Sequence, residues 1–547
     1  MSRISFLFHR RTGRILPVLT WVGLLACFGG CGSTPSAVQD KAKELIEQGD
    51  PVQALQLIEN TFGKEPGDAA VLLLRGRAYE EGGDLSQARQ DYSRAIELSP
   101  DLSDAWEARG ELLGRMEEYD AALQDLEQAG ALRPRQASIL AAIGLIHLRR
   151  GDLAQASSYF DKCFDLDAGA ESAYFGRAAV FMEQADYQGA IGEMDKLLAL
   201  QPKNLQALLR RGYAFMKDSR PLKAIEDFDK ALKLDATVKR IYCYRADAYS
   251  ALNDLENALS DYRAAASLDP ADPILHLNQG IILLMMGRFP EALESLTRSI
   301  VLEPDHCLPY IHRAALHERT RNFLAALRDL NRAFDLTPDN PWLLVRRARL
   351  FKQMGRGDRA LSDLDKAIAL CPEDPEAWLL RGSIYYNETQ LERALGDLRE
   401  AIRLKPEEPA GYQLLAEALL RKRDAADAIN QVDLALSRDS CFVPAYVTLG
   451  EIHKAYSRIE KAVEAYSMAL NIDPDHFDAR LKRAQLYVEI NEHGQALKDL
   501  QHAAKINPHS GEVYQLRARC HEALGETEKA QADTWKARVF AHRGGLH

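Results

Sequence analysis

Between residues 69 and 100, small and apolar positions form two sets, Leu72, Gly76 and Tyr79, then Ala88, Tyr92 and Ala95, each spaced i, i+4, i+7. That spacing lays each set along one face of a helix. Gly83-Asp84 breaks the run between the sets, and Pro100 stops the second. The segment predicts a hairpin of two amphipathic helices. The pattern then returns with a fixed period: prolines stand at 66, 100, 134, 202, 270, 304, 338, 372, 406, 474 and 508, always 34 or 68 apart. Ala168, Ala236 and Ser440 fill the missing marks, giving fifteen 34-residue units over residues 35–544 with no insertion. Such a period predicts stacked hairpins, because one hairpin cannot cover its own apolar face and its neighbours must do so.

Numbering each unit 1 to 34 places the proline at 32. Position 20 is alanine in all fifteen units, and position 8 is always Gly or Ala, as in Gly76, Gly212, Gly382 and Ala518. Only small residues let two helix backbones approach closely at such points. This pattern resembles the tetratricopeptide repeat family, whose aromatic or Leu at 4, Gly/Ala at 8, Tyr at 11, Ala at 20, aromatic at 24, Ala at 27 and Pro at 32 are matched by Trp106, Trp378, Tyr79, Tyr385, Tyr92, Phe228, Ala95 and Pro100. The first unit departs most, at Val38, Lys41 and Thr61. The resemblance implies an all-α fold, a right-handed α-solenoid or superhelix, whose concave wall is built from the first helix of each hairpin.

Position 7, usually Leu in that family, is arginine in ten units: Arg75, Arg109, Arg177, Arg211, Arg245, Arg313, Arg347, Arg381, Arg483 and Arg517. A ladder of ten arginines invites an anion-binding reading. Position 23 argues against it. In the same units it is Asp91, Asp125, Glu193, Asp227, Asp261, Asp329, Asp363, Asp397, Asp499 and Asp533, whereas Ile143, Gln279, Leu415 and Leu449 stand opposite Tyr159, Ser295, Gln431 and Ala465. Positions 7 and 23 are equidistant from a turn near 15, so they face one another across the hairpin. The expectation is an internal, bidentate ion pair in each of these units, Arg211 with Asp227 and Arg381 with Asp397 among them. Lys41 opposite Leu57 is a loose end.

By the same resemblance, positions 2, 5, 6, 9, 12 and 13 face the groove. From unit 5 to unit 9 they include Phe175, Met182, Leu209, Tyr213, Met216, Tyr244, Leu277, Ile281, Leu284, Met285 and Ile311, an apolar wall suited to a peptide or protein segment. The competing expectation is that some of these, position 5 above all, close the core between repeats. Arg319, Arg346, Arg349 and Lys352 form a basic strip beside this wall, either for an acidic peptide or as a solvated face. The family's clamp for Hsp70 and Hsp90 tails needs Asn at 9 and Lys or Arg at 5. Position 9 reads Arg77, Glu111, Leu145, Ala179, Tyr213, Asp247 and Ile281, so those tails are not expected ligands.

Composition agrees with a folded chain, 46% hydrophobic, and the net charge of −11 speaks against nucleic acid as a general partner. Residues 1–30 read as a leader: Arg3, Arg10, Arg11 and Arg14 precede a mostly apolar run from Ile15 to Gly30, shorter than the ~20 residues of a membrane span. "LLACFGGCGS" resembles the lipobox of bacterial lipoproteins. Cys27 has Leu24 three residues before it and is favoured; Cys31 has the smaller approach and a Gly-Ser follow-on. An uncleaved anchor and an organelle transit peptide are the alternatives. Residues 31–34 would then be a tether, 35–544 the solenoid and 545–547 a tail, with no room for an appended catalytic domain.

Cys163, Cys243, Cys307, Cys371, Cys441 and Cys520 show no Cys-x-x-Cys spacing, and there is no His-Glu-x-x-His, Gly-rich phosphate loop or Gly-x-Ser-x-Gly. No metal, cofactor or catalytic group is expected. The sequence reads as an exported scaffold, lipid-anchored in a bacterial envelope, that binds proteins in its groove. An accessory subunit presenting polysaccharide or protein substrate to an envelope enzyme is the alternative. Trp535, Val539 and Phe540 on the last helix suggest self-association through that end.

Overall fold

The computed structural model describes residues 35–543; the leader, Cys27, Cys31 and the last four residues lie outside the described residues. Thirty α-helices and no strand occur among the described residues. They form fifteen hairpins in one register: the first helix always begins at position 1 of the repeat and the second at position 17, as in Pro375–Asn387 and Leu391–Leu404 of repeat 11. Local chemistry sets these limits. Asp272, Asn340 and Asp374 accept a backbone N–H two residues on, ahead of Pro273, Pro341 and Pro375 at the first helical position. Thirteen of the second helices end at position 30, two residues before position 32, which in ten of these repeats is a proline that cannot continue the helix.

Within every hairpin the chain reverses through one residue at position 15 with positive φ. Six of these are glycines, such as Gly83 at 85° and Gly151 at 90°, and nine are not, including Thr389 at 62° and Arg423 at 66°. A non-glycine residue there is strained, Thr389 most because it is β-branched. The turn therefore follows from the packing of the two helices and not from turn sequence.

The chain divides after Ala236 into two compact units, one carrying repeats 1 to 6 and the other repeats 7 to 15. In each, first and second helices of a hairpin pack together, and the second helix packs on the first helix of the next repeat. Neighbouring first helices also touch, for example Pro273–Met285 with Cys307–Arg319. The position 20, 24 and 27 stripe forms the core, with Ala224, Phe228 and Ala231 fully buried in repeat 6. No helix among the described residues is long and apolar enough to cross a membrane.

Candidate functional site

The position-7 arginines are committed to the fold. In repeat 11 the Arg381 Nε donates to Asp397 Oδ2 at 2.7 Å and its Nη2 to Oδ1 at 2.9 Å. Arg211 holds Asp227 in the same fork, both bonds 2.7 Å. The fork recurs at Arg75, Arg109, Arg245, Arg313, Arg347, Arg483 and Arg517, while Arg177 meets Glu193 through one bond of 2.9 Å. All ten acids are at most 6% exposed. Donating its hydrogen bonds to the Asp397 carboxylate raises the Arg381 pKa further.

The guanidinium also bolts neighbouring repeats together, which the comparison of positions 7 and 23 missed. Its remaining Nη1 reaches position 25 of the preceding repeat: Arg381 to Asp365 at 2.7 Å, Arg211 to Asp195 at 2.6 Å, Arg347 to Asn331 at 3.0 Å and Arg483 to Ser467 at 2.9 Å. The signal was available. Arginine stands at position 25 only in Arg263 and Arg399, where the next repeat offers Gln279 or Leu415 in place of an arginine. The guanidinium of Arg381 further lies 4.8 Å from the Trp378 ring and 5.9 Å from Tyr385.

Position 5 is a correction to the apolar wall. Leu209, Leu277 and Ile311 are buried, and Leu277 and Ile311 sit in hydrophobic clusters with second-helix residues such as Leu296 and Leu330. They face the seam between successive hairpins and are not available to a ligand. Phe175 is half-buried with the Arg210 guanidinium 4.4 Å above its ring. In repeats 1 to 6, Met182, Tyr213 and Met216 are half-buried. In repeats 7 to 15, Tyr244, Ile281 and Leu284 are half-buried, with Ile281 and Leu284 packed on the core, and Met285 is 49% exposed.

The basic strip is also largely engaged. Arg346 faces Glu318 at 3.6 Å and lies over the Trp342 ring, and Arg349 pairs with Glu376. Arg319 donates to the Leu284 carbonyl at 3.1 Å, and Lys352 donates to the Ser383 hydroxyl at 2.7 Å. Neither Arg319 nor Lys352 has a carboxylate partner among the described residues. Burial, with Arg349 adding to it, lowers the Lys352 pKa. His312 beside them is held to about 4 by burial, then by Arg346, so it adds no charge at neutral pH.

What the first helices do leave open is position 2 of three consecutive repeats. Ile274, Leu308 and Trp342 are 42%, 44% and 47% exposed. Sequence reasoning overlooked them, although position 2 elsewhere is small, polar or charged apart from Pro444. The repeats share one register, so these side chains recur at the same point of three consecutive first helices as a ladder along one lip, those of repeats 8 and 9 in contact, with Met285 at the other end of its helix. One repeat past Trp342 the lip opens into a pocket of about 260 Å³ lined by Arg349, Pro375, Glu376, Leu379, Ile402 and Gly411, among others. Gly411 matters here, since a Cβ on it would lie 3.0 Å from Ile402 Cγ1 and narrow the space. Trp535 is 65% exposed at the other end of this unit, whereas Phe540 packs on His509 and Tyr514. No cluster of three or more metal-ligating side chains occurs among the described residues.

Comparison with known proteins agrees with this register. Family models described as "Tetratricopeptide repeat" match residues 40–103, 107–171, 175–238, 345–409 and 449–533, and one described as "TPR repeat" matches 246–287. Anaphase-promoting complex subunit 3 of Schizosaccharomyces pombe is 25% identical over 117 residues, 21% of this chain and 18% of that one. TPR repeat-containing protein PA4667 of Pseudomonas aeruginosa is 31% identical over 120 residues, 22% of this chain and 20% of that one. The chain thus matches only about a fifth of the length of these relatives. Among solved structures, an APC/C hetero-tetramer of Cut9 and Hcn1 is similar with a TM-score of 0.44 at 15% identity, covering 89% of this chain and 96% of that one. Yeast Tom70 is similar with a TM-score of 0.37 at 18% identity, covering 94% and 99%. With these repeat models spanning more than half of its length, the chain belongs to the tetratricopeptide repeat family.

Proposed function

We propose that this protein is a non-catalytic scaffold that binds segments of other proteins along the first helices of repeats 8 to 10, and that a lipid on its N-terminal cysteine tethers it to a bacterial envelope membrane. The observation that carries the binding role is the ladder of Ile274, Leu308 and Trp342. A soluble repeat fold gains nothing from three consecutive exposed apolar side chains where its other repeats are mostly polar or small, unless a partner covers them. The tether rests on the lipobox-like "LLACFGGCGS" and the basic start before it.

A second reading, an accessory subunit presenting polysaccharide or protein substrate, draws on repeats 11 to 13. There Tyr386, Gln413, Glu417 and Thr448 bring an aromatic ring, an amide and a carboxylate together. Gln413 Nε2 donates to Glu417 at 2.6 Å and to Thr448 at 3.0 Å, and Arg421 lies 3.8 Å over the Tyr386 ring. These groups already satisfy one another, and burial raises the Glu417 pKa. That favours the first reading.

Crosslinking in native membranes tests it. Wild type is expected to capture a discrete partner set that Leu308→Asp/Trp342→Asp loses. Cys27→Ala is expected to release the chain from the membrane fraction. A partner set indifferent to the two aspartates would remove the groove from consideration. Full membrane retention in both Cys27→Ala and Cys31→Ala would remove the lipid tether.

A further inference from the structure

The arginine ladder is interrupted at repeat 8, and the space it vacates stays open. We infer that this gap is a binding site for a neutral sugar, set between repeats 7 and 8 and separate from the lip of Ile274, Leu308 and Trp342.

Where ten repeats carry the fork, repeat 8 has Gln279 and Ser295, and position 25 of the preceding repeat changes from a hydrogen-bond acceptor to Arg263. A cleft of about 640 Å³ results, with all three residues on its walls. That volume lies within the ~300–1,000 Å³ of sites for small organic ligands. None of the lining residues stands at a groove position. Intact rungs flank the gap and fix its walls: Arg245 forks Asp261 through two bonds of 2.7 Å, and Arg313 forks Asp329 and also donates to Thr297 Oγ1 at 3.1 Å. A site held open by its surroundings costs a ligand little reorganisation.

The hydrogen-bonding groups left over set the ligand class. Gln279 is 8% exposed and its Nε2 donates to the Tyr262 carbonyl at 3.0 Å, which leaves Oε1 to accept. Glu294, Ser295 and Arg298 have no hydrogen-bond partner among the described residues. Glu291 is held by two bonds of 2.7 Å from Arg288, and Arg263 reaches it through one bond of 3.1 Å, so most of the Arg263 guanidinium is unspent. Donors and acceptors thus stand side by side, with Arg263 and Arg298 balanced by Glu291 and Glu294. A carboxylate brings only acceptors and would meet Gln279 Oε1 and Glu294. An ammonium brings only donors and would meet the two guanidiniums. A hydroxyl does both, so a ring carrying several of them satisfies the whole set. Val301, 65% exposed on the rim, seats the C–H face of such a ring. A peptide backbone also donates and accepts, but Val301 is the only exposed apolar side chain on these walls, which leaves peptide side chains without pockets.

Calorimetric titration of the full-length protein with maltotetraose, cellotetraose and chitotetraose, and in parallel with sodium acetate and tetraglycine, tests this. Saturable binding of at least one oligosaccharide is expected, and none of acetate or tetraglycine. Glu294→Leu/Arg298→Leu, at two exposed positions, is expected to weaken that binding about tenfold or more, the size of losing hydrogen bonds to charged groups. Arg263→Asp/Gln279→Arg/Ser295→Asp recreates in repeat 8 the Asp195, Arg211 and Asp227 set and fills the cleft. It is expected to abolish sugar binding while keeping the melting temperature and the crosslinked partner set. The absence of saturable binding by all three sugars would overturn the inference, as would sugar binding that survives in both variants. Acetate or tetraglycine binding that the ladder-restored chain loses would also overturn it, making the gap an anion or peptide site, and would leave the groove reading untouched.

Discussion

Asp397→Ala is expected to destabilise repeat 11 by about 3–5 kcal/mol, the range for removing one member of a buried ion pair. The substitution deletes two hydrogen bonds of 2.7 and 2.9 Å and leaves the Arg381 guanidinium against Trp378 and Tyr385. Only Asp365 remains as a partner, and its side chain is 58% exposed. Removing Asp365 itself should cost below about 1 kcal/mol, since exposed pairs contribute little. Arg381→Leu/Asp397→Gln is expected to lie close to wild type, because it recreates the Leu415 and Gln431 combination of repeat 12. Arrays of repeats need not unfold in one step, so amide hydrogen exchange of Pro375–Asn387 and Leu391–Leu404 is the appropriate readout. Unchanged protection in Asp397→Ala would mean that the carboxylate stabilises nothing.

Gly212→Ala is expected to cost about 1–3 kcal/mol, the usual penalty of overpacking a core. A Cβ at 212 would sit 2.5 Å from Cε1 of Phe228, a ring that is fully buried and has nowhere to go. Gly382→Ala is expected to cost less, because the nearest atom there is the Leu398 Cγ at 2.9 Å and that side chain has other rotamers. Gly212→Ala/Phe228→Leu should recover most of the loss. The chain already follows this rule: the rings of Tyr92, Phe160, Phe228 and Tyr466 stand opposite Gly76, Gly144, Gly212 and Gly450, with Tyr262 opposite Ala246 as the exception. A Gly212→Ala protein with wild-type urea unfolding would contradict the close approach at position 8.

Features that recur inside one repeat were legible without coordinates. The helix limits, the reversal at position 15 and the facing of 7 and 23 all follow from residues within a single hairpin, and fifteen copies average out local exceptions such as Lys41. Features that depend on how one hairpin meshes with the next were harder. Leu277 and Ile311 carry the chemistry of a binding wall, yet the adjoining hairpin buries them. Arg346 and Arg349 read as a free basic strip because Glu318 and Glu376 lie in the repeats before and after. Ile274, Leu308 and Trp342 were visible at position 2 but were passed over in favour of larger clusters on the same helices. The Gly411 pocket had no sequence signal beyond one glycine at position 3, where every other repeat has a larger residue.

The division of labour between arginine ladder and apolar lip is tested most directly by measuring, on two double variants, the affinity for one peptide from a crosslinked partner alongside the melting temperature. Arg381→Leu/Asp397→Gln is expected to keep both, and Leu308→Asp/Trp342→Asp is expected to keep its melting temperature while losing the peptide. Loss of peptide by the first variant with retention by the second would contradict it, placing recognition on the guanidinium ladder.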